Sequence, residues 1–265
     1  MFAALSLLGA TVALAATSKV RITPVHRTSA GALAVARAMM ANHKQLIGAQ
    51  FVTAPPQNGP DAVATGPRGA LAGFPHRGGS FAILTDGCAK HANRTKYKGS
   101  FGCNDRGVEL HGTRDATILR LEVRVPKGAS CLSLRFRFLS NEYPEWVGRR
   151  YNDAFIAEQG YYPRWRSTSQ SPYVYAPDDF ATTPDGKPIT VNQVGLAGMS
   201  KAGARGTGYN GATRVLRAST PVKPGKRYVV LSIFDQGDRQ FDSAVFIDHL
   251  TIGRAKCHSG VAKYQ

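Results

Sequence analysis

The sequence lacks an apolar run long enough to cross a membrane. Its N-terminal apolar stretch, residues 2–16, falls short of the roughly 20 apolar residues that a transmembrane helix needs. This stretch ends in small residues, and Ala13-Leu14-Ala15 offers the Ala-x-Ala pattern of a cleavage site. We therefore predict a secretory signal peptide at residues 1–16, no transmembrane span, and a secreted protein that is extracellular or associated with the cell envelope.

Acidic residues are scarce. The chain has 17 Asp and Glu against 34 Lys and Arg, which gives a net charge of +17 at pH 7. Such an excess attracts polyanions, so we predict an acidic glycan or another anionic envelope polymer as the partner. The basic residues are scattered along the chain, and a solubility charge spread over all faces is the alternative. The sequence does not indicate an oligomeric state.

Cysteines are few, and none occurs in a C-x-x-C pair. The four are Cys88, Cys103, Cys131 and Cys257. The spacing disfavours a zinc site, whereas an even number in an exported chain favours disulfides. We expect Cys88 to pair with Cys103 around the loop between them. Cys131 then pairs with Cys257, provided that their strand ends are neighbours, although the sequence alone permits three connectivities.

Motifs for catalysis are also lacking. None of the seven histidines falls in H-E-x-x-H, and Ser200 lacks the final glycine of a nucleophile elbow. Residues 206–211 spell G-x-G-x-x-G, but the residues before them do not read as the strand that a dinucleotide site requires. We therefore predict no catalytic residue and no dinucleotide cofactor.

Alternating apolar and polar residues predict β-strands. Residues 119–125 and 132–138 both alternate, and Pro126-Lys127-Gly128 lies between them. This pattern predicts a hairpin whose outward faces carry arginines. Further strands are predicted at residues 81–84, 228–234 and 244–252, the last two as central strands of a sheet.

A single helix is predicted near the N-terminus. Residues 30–46 carry Ala, Leu and Met at helical spacing, and Ser29 stands where an N-cap is expected. Residues 54–79 are rich in Pro and Gly, which indicates an irregular connection. Strands do not alternate with helices along the chain, which disfavours a βαβ architecture. We predict an all-β fold: a two-sheet antiparallel sandwich of jelly-roll type with one N-terminal helix.

Two acidic loops carry the candidate site. The first contains Phe-Leu-Ser-Asn-Glu-Tyr-Pro-Glu-Trp-Val-Gly at residues 138–148 and then Tyr-Asn-Asp-Ala-Phe at 151–155. The second is Phe-Asp-Gln-Gly-Asp-Arg-Gln-Phe-Asp-Ser at residues 234–243. Sugar faces stack on aromatic rings, and sugar hydroxyls bond to carboxylates and amides. The predicted ligand-binding residues are Glu142, Tyr143, Glu145, Trp146, Tyr151 and Asn152.

The second loop also has the composition of a calcium site. Asp235, Asp238 and Asp242 lie three and four residues apart, and hard cations prefer several carboxylate oxygens. We predict that these residues and Asp153 hold calcium where the two loops meet at one end of the sandwich. The alternative is that the carboxylates bond to local amides or to neighbouring arginines.

The same carboxylates allow an enzymatic alternative. Glu142, Glu145 and Asp153 are suited to act as acid and base on a polysaccharide. A β-sandwich hosts many unrelated functions, so the scaffold does not decide between the two classes. A binding module retains a glycan without turnover, whereas a hydrolase cleaves it.

Four stretches of these strands and loops resemble the choice-of-anchor L domain of bacterial secreted and surface proteins. They are Phe-Leu-Ser-x-Glu-Tyr-Pro-Glu-x-Val-Gly, Tyr-Asn-Asp-Ala-Phe, Ser-Ile-Phe-Asp-Gln-Gly-Asp and Asp-Ser-Ala-Val-Phe-Ile-Asp, and the resemblance covers roughly residues 30–253. It implies a β-rich extracellular module with no established reaction. We expect a lead at residues 17–29, one domain at 30–257 and a tail at 258–265 that carries no anchor.

Overall fold

The structure, a computed structural model, describes residues 20–53, 59–95, 109–168 and 171–262. These residues form two α-helices, α1 (Ser29–Met39) and α2 (Val191–Gly198), and two short 3-10 helices, His43–Gln45 and Ala89–His91. The strands in the same residues are β1 (Arg21–Pro24), β2 (Leu46–Thr53), β3 (Asp61–Thr65), β4 (Ser80–Thr85), β5 (Arg114–Val125), β6 (Cys131–Ser140), β7 (Ala154–Gln159), β8 (Arg166–Thr168), β9 (Ser171–Tyr175), β10 (Ile189–Thr190), β11 (Met199–Ser200), β12 (Gly211–Thr213), β13 (Leu216–Pro221), β14 (Gly225–Asp235), β15 (Ser243–Gly253) and β16 (Gly260–Val261).

Two antiparallel sheets enclose the main hydrophobic core. In the described part of the chain, one sheet has nine strands in the order β1-β3-β4-β15-β6-β12-β11, with β13 beside β6 and β16 beside β13. The other sheet has five strands in the order β10-β7-β14-β5-β2, and β8 and β9 form a separate ribbon. The prediction of an all-β sandwich is confirmed.

The N-terminal helix is shorter than predicted, and its cap is different. The hydroxyl of Thr28 accepts a hydrogen bond from the Gly31 amide at 3.1 Å, so Thr28 is the N-cap and Ser29 is the first helical residue. The chain turns extended at Met40, which bridges to Leu250 of β15. Pairing with the sheet therefore ends the helix seven residues before the predicted position, although the local composition still favours a helix.

The predicted hairpin of β5 and β6 is wrong. β5 pairs with β14 and β2, whereas β6 pairs with β12, β13 and β15 in the other sheet. The turn between them crosses from one sheet to the other. Apolar residues of the two strands, such as Leu121 of β5 and Leu134 of β6, therefore point into the same core from opposite sides. Period-two alternation identified the buried faces correctly, but it is the same for strands that pair side by side and for strands that face each other. The outward residues include Arg120, Arg135 and Arg137, as predicted.

The central strands are where the sequence predicted them. β14 lies between β5 and β7, and β15 lies between β4 and β6. Residues 54–79 are not wholly irregular, because they contain β3, which pairs with β1 and β4. This strand reads Asp-Ala-Val-Ala-Thr, and the low β-propensity of Ala and Asp explains why it was missed.

A disulfide joins the two ends predicted to be neighbours. Cys131 and Cys257 are bonded, with Cα atoms 5.3 Å apart, and Cys131 lies opposite Gly253 in the sheet. Cys88 is also disulfide-bonded, while its predicted partner Cys103 lies outside the described residues. The predicted signal peptide lies outside them too. No helix among the described residues has the length and apolar character needed to span a membrane.

Candidate functional site

Buried carboxyl groups from three loops meet at one end of the sandwich. Asp86 follows β4, Glu142 and Asp153 lie between β6 and β7, and Asp235 and Asp242 lie where β14 leads into β15. We refer to these five residues as the acidic cluster. None of the five is more than 7% exposed. The structure thus brings the two predicted loops together and adds Asp86. In the sequence, the Asp-Gly pair after β4 reads only as a turn.

Direct hydrogen bonds link the three loops. The Ser243 amide donates to Asp86 Oδ1 at 2.7 Å, and the Ser243 hydroxyl donates to Asp153 Oδ2 at 2.6 Å. The Gln236 amide donates to Asp153 Oδ1 at 3.4 Å, and the Asp153 amide donates to Glu142 Oε2 at 3.3 Å. Asp153 therefore contacts the first acidic loop through Glu142 and the second through Gln236 and Ser243.

Burial and the repulsion between neighbouring charges raise the pKa values of four carboxyls of the acidic cluster, Asp86, Glu142, Asp153 and Asp235. For Asp86, Glu142 and Asp235, burial is the largest cause, and the negative charge of Asp153 raises each pKa further. Burial also raises the pKa of Asp153 itself, against the hydrogen bond from Ser243. A carboxyl with a raised pKa stays protonated to a higher pH and can then donate a hydrogen bond to a neighbouring carboxylate.

A glycine makes room for one of the carboxyls. A Cβ at Gly87 would lie 1.9 Å from Asp242 Oδ2 and 2.0 Å from its Cγ, so a larger residue would displace that side chain. The Gly87 amide donates to the Thr85 hydroxyl at 2.9 Å, and that hydroxyl donates to the Ser243 carbonyl at 2.5 Å. The Asn141 amide donates to the Asp242 carbonyl at 3.1 Å. The loop after β4 is thus fitted closely against the start of β15.

Backbone amides and an arginine form hydrogen bonds and an ion pair with carboxylates in and around the acidic cluster. The Asp238 amide donates to Asp235 Oδ1 at 3.3 Å, and the Gln240 amide donates to Asp238 Oδ1 at 2.9 Å. Arg239 forms an ion pair with Asp115. These are the contacts that turn-forming aspartates usually make.

The predicted metal ligands share this end of the sandwich. Asp153, Asp235 and Asp242 belong to the acidic cluster, and Asp238 is partly buried beside it. Among the described residues, no group of three or more His, Cys, Asp or Glu side chains is placed so that it could hold a metal ion. Calcium binding stays a prediction.

The predicted ligand-binding polar residues are divided between interior and surface. Glu142 and Asn152 are 1% and 2% exposed. Asn152 Oδ1 accepts a hydrogen bond from the Asn192 amide at 2.8 Å, so this side chain secures the loop against α2. Glu145 is exposed. Of the three polar residues, Glu145 is therefore the one that can reach a polymer in this conformation.

The predicted aromatic residues pack against their own surroundings. The Trp146 ring meets Tyr151 edge-on at 5.2 Å and Phe241 at 5.8 Å, which joins the two acidic loops. Tyr143 packs against the sandwich core, and a Cβ at Gly211 would lie 2.2 Å from its ring. These rings stabilise the loops and are only partly accessible.

A second candidate surface lies on the outer face of the five-stranded sheet. The Arg120 guanidinium lies 3.7 Å from the centroid of the Tyr161 ring. Its nitrogens donate to the Tyr161 carbonyl at 2.9 Å and to Gln50 Oε1 at 2.8 Å. Tyr161 meets Tyr228 edge-on at 4.8 Å. We define the tyrosine platform as the residues Gln50, Arg120, Glu122, Tyr161, Lys226 and Tyr228, which line a depression of about 390 Å³.

Sheet register assembles this platform. Gln50 lies opposite Arg120, and Glu122 lies opposite Tyr228, because β5 runs between β2 and β14. Lys226 forms an ion pair with Glu122 at 2.7 Å. The alternation of β5 indicated that Arg120 and Glu122 point outward. The sequence carried no signal that tyrosines from other segments would join them.

Comparison with known families adds to this geometry. The sequence model of the choice-of-anchor L domain matches residues 89–252, more than half of the chain. The chain belongs to the choice-of-anchor L domain family. As a choice-of-anchor L domain, it is a secreted or cell-surface module from a family that is generally non-catalytic. Among curated proteins, none matches the sequence. The matched range includes every carboxyl of the acidic cluster except Asp86.

Proposed function

We propose that this choice-of-anchor L domain binds an acidic glycan of the cell envelope, without catalysis, at the tyrosine platform. The observation that carries the proposal is the combination of tyrosine rings, an ammonium group and the largely buried guanidinium of Arg120 around one depression of the sheet face. Sugar C–H faces stack on such rings, and the cations pair with acidic substituents. The net charge of +17 favours the approach of an acidic polymer.

The platform is held in place before any ligand arrives. Arg120 is fixed by the Tyr161 carbonyl and by Gln50, so little side-chain freedom remains to be lost on binding. Tyr162, which is 66% exposed, extends the aromatic surface and meets Tyr161 edge-on at 4.7 Å. A fixed aromatic surface beside polar groups suits a repeating sugar chain.

Burial disfavours the hydrolase alternative. A glycosidase places two carboxyls on either side of an accessible glycosidic bond. Glu142 and Asp153 lie inside the acidic cluster and are shielded from a polymer, whereas Glu145 is exposed. Retention without cleavage is therefore the function that the geometry favours.

Affinity electrophoresis tests the proposal. The secreted chain is run through gels that contain an acidic polysaccharide or neutral dextran, and we expect retardation by the acidic polymer alone. Tyr161→Ala should weaken retention about five- to tenfold, since it removes the ring beneath Arg120. Tyr175→Ala is the matched control, because Tyr175 is 65% exposed on the separate ribbon.

Two outcomes would count against the proposal. Equal retention of the Tyr161→Ala variant and the wild type would remove the platform from the binding surface. Release of reducing sugar ends from the acidic polymer would favour the hydrolase instead.

A further inference from the structure

The outer face of the nine-stranded sheet carries several cations around one carboxylate. Strands β13, β6 and β15 lie side by side, and their register places Arg217 opposite Arg135 and Arg135 opposite Asp248. Neighbouring strands are about 4.8 Å apart. Two guanidinium groups and a carboxylate therefore rise from one small area of the sheet.

The segment before β4 adds more positive charge. Asp248 Oδ2 accepts hydrogen bonds from the backbone amides of His76 and Arg77 at 2.7 and 2.8 Å. Asp248 Oδ1 accepts a hydrogen bond from the His249 amide. Arg68 Nε donates to the His76 carbonyl at 3.1 Å. We define the basic patch as Arg68, His76, Arg77, Arg135, Arg217 and His249.

Among the described residues, the arginines of the basic patch outnumber the one carboxylate that lies between them, Asp248. None of its four arginines forms a salt bridge in the parts of the chain that the structure describes. Arg135 Nε is buried and has no hydrogen-bond partner there. Burial, followed by the charges of Arg217 and Arg77, lowers the pKa of Arg135. Like charges held this close repel one another, and an anion among them would relieve the repulsion.

We propose that the basic patch binds a phosphate group of an anionic polymer through Arg77, Arg135 and Arg217. A guanidinium donates two parallel hydrogen bonds to an oxyanion, which a lysine cannot do. A phosphate also carries more negative charge than a carboxylate, which suits a site with four arginines around one aspartate. Ser133, whose hydroxyl lies 3.4 Å from Arg217 Nη2, adds a neutral hydrogen-bonding group.

This site is independent of the tyrosine platform. The basic patch lies on the nine-stranded sheet, and the platform lies on the five-stranded sheet. A variant in one surface should therefore leave binding at the other unchanged, so either proposal can fail without the other.

Titration calorimetry of the whole secreted chain tests the site, with inorganic phosphate and long-chain polyphosphate as ligands at low ionic strength. Arg217→Gln is the first variant, because Arg217 is exposed and its loss leaves the core intact. Arg135→Gln is the second, and Arg124→Gln, exposed on the other sheet, is the matched control. We expect both patch variants to weaken phosphate binding about tenfold and the control to bind like the wild type.

The polymer gives a second measurement. A plot of log affinity for polyphosphate against log salt concentration should be about one unit shallower in each patch variant than in the wild type. Equal losses in Arg124→Gln and Arg217→Gln would overturn the proposal, because net charge alone would then explain binding. Wild-type protein that does not bind inorganic phosphate would also overturn it, as would polyglutamate binding as tight as polyphosphate binding. Unchanged phosphate affinity in Tyr161→Ala would support two separate sites.

Discussion

Replacing Asp153 by Asn tests whether ionisation of the acidic cluster destabilises the fold. The two side chains have nearly the same shape. The Oδ1 atom of Asn can still accept the hydrogen bond that the Gln236 amide donates to Asp153. The side-chain amide of Asn can donate a hydrogen bond to the Ser243 hydroxyl. The substitution therefore removes a charge from the centre of the cluster and changes little else.

The sign of the effect follows from the raised pKa values. Burial raises the pKa of Asp153, and the Asp153 charge raises the pKa of Asp86 and Glu142. The stability linked to these groups is fully present below their unfolded pKa, about 4, and is lost as the pH rises through their folded pKa. Asp153→Asn should match the wild type near pH 4 and exceed it at pH 8. Each unit of pKa shift corresponds to about 1.4 kcal/mol, or about 3–6 °C in melting temperature.

Thermal melts followed by circular dichroism, from pH 4 to pH 8 with a chelator present, measure this difference. Glu158 and Asp179, whose pKa values burial raises to about 7, remain in both proteins and should give both a shared loss of stability as the pH rises. Asp185→Asn is the control, because the exposed Asp185 has its pKa lowered, chiefly by a hydrogen bond from Thr183. If Asp153→Asn is less stable than the wild type by the same amount at every pH, the hydrogen bonds of Asp153 matter more to stability than its charge, and the reasoning is refuted.

Three further predictions concern the same end of the sandwich and its disulfide. Gly87→Ala should lower the free energy of unfolding by about 1–3 kcal/mol, because the new Cβ would clash with Asp242. Gly79→Ala is the control and should leave the free energy of unfolding unchanged, because a Cβ there meets open space. Urea denaturation measures both variants. Replacing Cys131 and Cys257 by Ser should lower stability by about 2–5 kcal/mol in a thermal melt, since their bridge spans 126 residues of sequence. Calcium at a hundredfold excess over its dissociation constant should add about 2.7 kcal/mol to chelator-treated protein. Identical melting temperatures with and without calcium would end the calcium proposal.

Local sequence pattern predicted more of the fold than of the candidate sites. The alternation at residues 119–125 and 132–138 identified the buried and outward faces of β5 and β6, because side-chain direction in a strand depends only on position along it. The motifs in the two acidic loops identified the family, and they pointed to four of the five residues of the acidic cluster. Asp86 was missed, because an Asp-Gly pair after a strand is an ordinary turn.

The sequence by itself determined an all-β chain, the apolar faces of its strands, its family and its strongly basic charge. Only the tertiary structure decided which strands became neighbours. It placed β5 and β6 in opposite sheets, and it brought Asp86 to Ser243 across 157 residues of chain. It also set Arg135 between Arg217 and Asp248 through sheet register alone. The physical reason is that alternation is a local property, whereas the choice of strand partner depends on burying all of the apolar faces at once.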